Sequence, residues 1–386
     1  MQNATEHQPA RRGVDDIARE LLAPILAGAL ADSGWHLISW DAEQGIAVTF
    51  QRADTCVLIE FEERNDRLDC YARTARFNVC SRRQGENGDL SDADRRFVDR
   101  VIALLRTREA SLPSAPRPAA DRKTLVREVL VDQLLMHEGS RRYYINPYVG
   151  CMIACPFCYV IDRADFSRRL EGLPQLPWGR YLDVKVNAAD VLRREIQSGP
   201  RGTVRMSPIV TDPYQPAERR YRITRQCLEV LLGSELVPVV LTRAARILED
   251  LALLRRFPRA LVGFSIPTDA DTYRQIFEPA ADPIDDRLDA LAAIHDAGIG
   301  TFAVIQPVLP MNVDRLVERL APLVRAVRLD RLYLGERIAQ LYRDNGLDAY
   351  ATDAYADDTL GRLARAFTAR GVRVDPLDDF EPLLEG

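Results

Sequence analysis

Three cysteines carry the clearest chemistry in this 386-residue chain, in the stretch Gly150-Cys151-Met152-Ile153-Ala154-Cys155-Pro156-Phe157-Cys158-Tyr159. The spacing Cys-x3-Cys-x2-Cys lets three thiolates wrap one metal centre, and three is one short of a closed set. A [4Fe–4S] cluster normally takes four cysteines. Three leave one iron with open positions for a small chelating molecule. Zinc would take four Cys/His ligands, or three and a water, but the loop holds no histidine and the nearest, His137, lies fourteen residues upstream of Cys151. A disulfide framework belongs to small domains in oxidising compartments. Ligand type and spacing favour the cluster.

Composition sets the setting for that chemistry. Apolar residues make up 47% and charged residues 28% of the chain, an ordinary globular balance, and the length suffices for two domains. A net charge of −5 opposes a surface that coats nucleic acid. No apolar run of about 18 residues is present, so no membrane helix is expected, and the polar start lacks the apolar core of a signal peptide. The expected setting is cytoplasmic, where thiols stay reduced. Lysine is confined to Lys123 and Lys185 among many arginines, a bias best read as codon usage.

The elements that must position the cysteines follow from periodicity. Residues 1–110 read as a small α+β domain of order α-β-β-β-α. It has a helix over Asp15–Asp32, then strands at Trp35–Asp41, Ile46–Arg52 with Thr55–Glu62, and Leu68–Arg76. A closing helix follows from Ser91. Cys56, Cys70 and Cys80 lie in this part without metal spacing. Residues 111–121 form a Pro-rich linker. Over 122–336, strands expected at Tyr143–Pro147, Thr203–Ile209, Val237–Thr242, Leu261–Ile266, Thr301–Val308 and Arg328–Leu334 alternate with amphipathic helices. That alternation predicts a parallel sheet covered by helices, and six units make an open partial (β/α)6 barrel. Chemistry in such folds sits at the C-terminal strand ends, and the cysteine loop follows the first strand. Residues 337–386 read as a helical extension with an acidic tail that could fold over the barrel mouth.

From about Arg142 to Leu309 the chain resembles the spore photoproduct lyase-like branch of the radical-SAM superfamily. Besides the cysteine loop, the likeness rests on Asp183-Val184-Lys185-Val186-Asn187, Phe264-Ser265-Ile266, Phe277-Glu278-Pro279, and Arg287-Leu288 with Ala297-Gly298-Ile299. The resemblance implies a radical-SAM barrel in which Cys151, Cys155 and Cys158 hold a [4Fe–4S] cluster and S-adenosylmethionine (SAM) binds to it. It also implies that Phe157 packs beside the nucleoside, Ser207 and Thr211 lie at the amino group, Arg243 pairs with the carboxylate, and Ser265 stands near the ribose. A carboxylate wants a cation, and a guanidinium offers a charge-assisted, bidentate bond.

The activity implied is one-electron cleavage of SAM to a 5′-deoxyadenosyl radical that takes hydrogen from a substrate, with flavodoxin or ferredoxin as reductant. Lesion-repair lyases place a hydrogen-donating cysteine near the end of strand two. Here that stretch reads Met206-Ser207-Pro208-Ile209-Val210-Thr211-Asp212, and Cys227 lies in the apolar helix beyond, where a buried structural role fits. The favoured substrate is therefore a small metabolite or peptide in a tailoring or biosynthetic pathway. Nucleic-acid repair or base modification is one rival, and a non-catalytic metal-binding partner protein another. Asp212, Tyr214 and Glu218, with Tyr143, Tyr144 and Tyr148, are further candidates for serving the substrate. The arginines at 219, 220, 222 and 225 read as a charged helix face.

Overall fold

The computed structural model describes most of residues 124–384 and, in part, 27–74. Outside the description lie residues 1–26, 75–95, 101–123, 207–209, 333–335, 378–379 and 385–386, most of 162–172, and scattered loop positions. The expected linker, both helices flanking the first domain (save a few positions) and Ser207 therefore fall outside the described residues.

The first sheet is a meander of four antiparallel strands in the order β1 (His36–Asp41), β2 (Ile46–Arg52), β3 (Thr55–Arg64) and β4 (Arg67–Thr74). The expected order counted β2 and β3 together. They are separate because Arg52 pairs with Thr55, so the chain reverses between them. Cys56 and Cys70 lie on β3 and β4.

The second sheet builds the barrel. Its strand order is β15-β14-β13-β12-β11-β10-β7-β6, where β6 spans Met136–Gly139, β7 Arg142–Tyr144, β10 Arg201–Met206, β11 Glu235–Thr242, β12 Leu261–Ser265, β13 Gly300–Ile305, β14 Ala326–Leu329 and β15 Arg373–Val374. All neighbours from β7 to β15 are parallel, and β6 is antiparallel to β7. Each of the six expected barrel strands is present. Neither β6 nor the two-residue β15 is expected from periodicity. A third, small sheet of order β5-β9-β8 joins Leu125–Val129, Tyr181–Lys185 and Tyr148–Val149. The first sheet meets the barrel at β6, against which β1 and β3 lie.

Alternation along the parallel strands divides the core in two. Val204, Met206, Val240, Val262, Phe264, Ala303, Ile305 and Val327 face the helices and form the main core with them. The opposite face lines the lumen. There Val239, Leu261, Phe302, Val304 and Ala326 pack with Leu377, Phe380 and Leu383 from the segment after β15. The Phe302 and Phe380 rings lie 5.4 Å apart, and a Cβ on Gly263 would stand 2.3 Å from the Phe302 ring, so only glycine leaves room for it. Backbone carbonyls of Pro376 and Leu383 accept from Arg328 (2.9 Å) and Arg325 (3.2 Å).

The tail thus corrects one expectation. Leu261 and Ala326 are first residues of their strands, so the segment fills the barrel floor rather than its mouth. Its apolar side chains make that closure. Phe380→Ala should lower the unfolding free energy of the full chain by about 3–5 kcal/mol, the usual cost of emptying a buried phenylalanine site. Denaturant titration reads this out, and a loss below about 1 kcal/mol would mean the tail does not pack in the lumen.

Candidate active site

The cysteine loop leaves the barrel after β7 and β8, at the C-terminal strand ends. Its course is fixed by backbone geometry and by two side chains. Gly150 takes φ +97°, and a Cβ there would stand 2.5 Å from the Tyr181 carbonyl, so glycine is required. Ala154 is left-handed at φ +56°, a strained setting for a residue with a Cβ, where its N–H reaches the Cys151 carbonyl at 3.2 Å. The carbonyl of Gly150 accepts from the Thr211 hydroxyl (2.8 Å) and from Gln215 Nε2 (3.2 Å). The same Gln215 amide donates to Thr211 Oγ1 (2.5 Å), and its Oε1 accepts from the Met152 N–H (2.9 Å). Gln215 therefore ties the loop to the segment after β10.

All three loop cysteines are free thiols, two buried and Cys158 half-buried. They gather in one packed group with Ile153, Ala281, Phe157 and Trp178. Burial pushes the Cys151 thiol up to about 12, with nearby Asp212 raising it further and backbone bonds from Ile153 and Asp212 opposing. Burial also raises Cys155, against the lowering pull of Arg243. Among the described residues no three Cys, His, Asp or Glu side chains converge on a single-ion site. A cubane asks for something different, since each thiolate binds its own iron. Three free thiols in one enclosed pocket fit that donor set.

Arg243 follows β11 and stands beside Cys155. Its backbone N–H donates to buried Asp212 Oδ2 (2.7 Å), whose other oxygen accepts from the Thr242 hydroxyl (2.5 Å) and the Tyr214 N–H (2.9 Å). Its Nε donates to Glu278 Oε1 at 2.5 Å. Glu278 is fully buried and takes Arg287 Nη1 on Oε2 at 2.8 Å, and that same nitrogen reaches the Ser265 carbonyl at 2.9 Å. One carboxylate thus locks two arginines. No described residue accepts from the Nη atoms of Arg243. Ser265 pairs in register with Val304 on the lumen-facing row. Phe157 bridges the cysteine group to Phe277, Leu309, Ile338 and Tyr342.

The expected site residues therefore sort as follows. Cys151, Cys155, Cys158, Phe157 and Arg243 come together at one end of the barrel, with Ser265 on its inner wall. Thr211 lies against the loop, its proton given to Gly150. Three candidates for serving the substrate prove to hold the structure instead. Asp212 binds the backbone of Arg243 and Tyr214, the Tyr214 hydroxyl donates to Asp250 at 3.0 Å, and Glu218 is enclosed by Tyr148, Thr224 and Arg225. The arginine run is a solvated face as expected, with Arg219, Arg220 and Arg222 exposed and Arg225 paired with Asp250 at 2.5 Å. Cys227 is buried in the helix-side core. Sequence reasoning missed Gln215 and the role of Glu278. The second had a signal, the Phe277-Glu278-Pro279 landmark, but nothing in one dimension joins it to Arg243.

The parallel barrel carries the three-cysteine loop at its strand ends, and residues 145–323 match the family model of the Radical SAM superfamily. The chain is 30% identical over 174 residues to an uncharacterised protein of Methanocaldococcus jannaschii, covering 45% of this chain and 62% of that one. It is 29% identical over 181 residues to an uncharacterised protein of Acidianus two-tailed virus, covering 46% and 60%. The match spans less than two thirds of either relative. A radical SAM Nα-GlyT isomerase of Pseudomonas phage M6 is 28% identical over 188 residues, 47% of this chain and 37% of that protein. Among solved structures, a spore photoproduct lyase variant with bound AdoMet and dinucleoside spore photoproduct superposes with TM-score 0.50 at 16% identity, covering 68% of this chain and 86% of the other. At that identity the likeness is one of fold.

The Tyr148–Glu218 pair gives a pH signature. Burial raises Glu218 from 4.5 to about 7, against lowering bonds from Tyr148, Arg225 and Thr224. The native state then holds the proton more tightly than the unfolded chain, so the stability this group contributes is present below 4.5 and lost as pH rises through about 7. Asp212 and Glu195 are also raised by burial, so the comparison must be with Glu218→Gln. Thermal unfolding of wild type should fall more steeply than that of Glu218→Gln across this window. Equal slopes would show that Glu218 carries no raised proton affinity.

Proposed function

We propose that this chain is a radical SAM enzyme in which Cys151, Cys155 and Cys158 hold a [4Fe–4S] cluster and SAM binds against it. The observation that carries the reading is Arg243. Its Nε is committed to Glu278, its charge acts on the Cys155 thiol, and no described residue takes its Nη atoms, which leaves a guanidinium edge able to receive a carboxylate with two parallel bonds. Thr211 keeps an acceptor lone pair for the SAM amino group, with Ser207 on the same segment. Ser265 offers a hydroxyl on the ribose side, and Phe157 an apolar face for the nucleoside. Bound together, cluster and SAM supply one-electron cleavage and a carbon radical able to take hydrogen from a substrate.

The chain's own contribution is to orient and to exclude. Glu278 keeps the Arg243 guanidinium from swinging, Gln215 holds the loop, and Leu377, Phe380 and Leu383 keep water out of the barrel floor. A lumen filled that far from below supports a small metabolite or peptide substrate in a tailoring or biosynthetic pathway. Base modification is a second reading, favoured by the names of the phage isomerase and of the lyase with its dinucleoside ligand. The net charge of −5 weighs against broad nucleic-acid binding. Among the described residues no helix is long and apolar enough to cross a membrane, in keeping with a cytoplasmic protein served by flavodoxin or ferredoxin. The sheet β1–β4, seated against β6, is suited to recruit substrate or partner.

Anaerobic reconstitution should give about four irons and four sulfides per chain, and changing any one of Cys151, Cys155 or Cys158 to Ala should abolish this. Iron analysis and 5′-deoxyadenosine formation with SAM and dithionite are the readouts, and a protein that takes up only zinc under these conditions would overturn the reading. Arg243→Ala should weaken SAM binding by about 1.5–3 kcal/mol, while Arg287 keeps Glu278 paired. Unchanged SAM affinity by calorimetry would remove Arg243 from the site.

A further inference from the structure

Asn146 is 2% exposed, yet neither its Oδ1 nor its Nδ2 has a hydrogen-bond partner among the described residues. Buried amides are rarely left so, because desolvation without a bond is costly at each atom. Its position is that of a ligand contact. The Ile145 N–H donates to the Arg205 carbonyl at 2.9 Å, so the β7–β10 ladder continues past its last strand residue. Tyr143 and Ile145 pack on the helix side, and alternation turns Arg142, Tyr144 and Asn146 to the lumen. Asn146 is then the topmost lumen residue of the first parallel strand, five positions before Cys151 and three strands from Ser265 in the sheet order. Arg205, whose carbonyl takes the Ile145 N–H, is paired with Glu138, and Arg142 lies four residues back along the strand, so the polar group nearest the strand end is the neutral amide.

We propose that Asn146 is the recognition point for a neutral ligand in the lumen, and that the ligand carries an N–H beside an acceptor on the same edge. A carboxamide offers one acceptor and one donor side by side. A lactam, an imide, a primary amide or a nucleobase edge satisfies both. A trans peptide bond points its N–H and C=O in opposite directions and satisfies only one. Within the proposed enzyme, this selects a cyclic amide or base-like substrate over a linear peptide backbone. The adenine of SAM bears a similar edge and is the other source of the same chemistry.

The test uses the reconstituted full chain without reductant, so no turnover is needed. Failure here leaves the enzymatic reading standing, and failed SAM cleavage leaves this one standing. The probes are uracil, 1,3-dimethyluracil (which has no N–H) and SAM, with equilibrium dialysis on wild type and Asn146→Leu. Uracil should bind wild type about tenfold or more tighter than the dimethyl form, and Asn146→Leu should lose that preference. Unchanged SAM affinity in the variant assigns the edge to the substrate. An equal loss for SAM, with uracil competing against it, assigns it to adenine. Without ligand, Asn146→Leu should melt at or above the wild-type temperature, since two unpaired polar atoms are removed. A clearly lower melting temperature overturns the proposal, because the amide would then serve the fold. Equal binding of both uracils to wild type overturns it from the wild-type protein alone, as does failure of uracil to bind together with unchanged SAM affinity in the variant.

Discussion

Three thiols must be enclosed at one end of a barrel before any metal holds them there, and the surrounding structure answers to that constraint. Two side chains after β10, Thr211 and Gln215, give the answer. Gln215 spends its amide on the Gly150 carbonyl, the Thr211 hydroxyl and the Met152 N–H, so the loop is fixed by polar bonds from the next strand's exit. Asp212, three residues earlier, does the same for the strand after that by binding the Arg243 backbone. Consecutive strand ends are thus stitched by side chains from one short segment.

A second network works at right angles to the first. Glu278 reaches from the region after β12 to Arg243 after β11, and Arg287 closes the triangle on the Ser265 carbonyl. Burying two cations with one anion is costly unless the geometry is tight and the remaining donors find partners. The Nη2 of Arg287 is buried without a partner among the described residues, so the triangle leaves donor capacity unused. Stability and binding are coupled here, because the residue that keeps the guanidinium folded in also decides which of its edges remains open.

How much of this was legible in the sequence depended on the range of the interaction involved. The six barrel strands follow from local periodicity, although the first and the last end earlier than expected, at Tyr144 rather than Pro147 and at Leu329 rather than Leu334. The reading of Cys227 as a core residue follows from the same periodicity. The cysteine loop was legible because its ligands are neighbours in the chain. Glu278 was seen only as a landmark, since its partner lies 35 positions away. Tyr148, Tyr214 and Glu218 looked available for chemistry because polar residues near a motif do, and only the packing shows that each already has a buried partner. Asn146 is the reverse case. It sits in an ordinary Ile145-Asn146-Pro147 stretch, and only the structure shows that its buried amide lacks hydrogen-bond partners among the described residues.

The floor of the barrel has a consequence for assembly. Its lumen core needs Leu377, Phe380 and Leu383, which come after all the strands of the barrel, whereas the cysteine loop ends at Cys158. At roughly 5–20 residues per second, a ribosome spends about ten to forty seconds between them. Through that interval the loop can exist on a chain whose inner core is still open to water. If the loop holds the proposed cluster, its loading need not wait for Leu383, whereas shielding of a radical in the lumen must. The order of synthesis thus separates the stage at which the site can be filled from the stage at which it can be safely used.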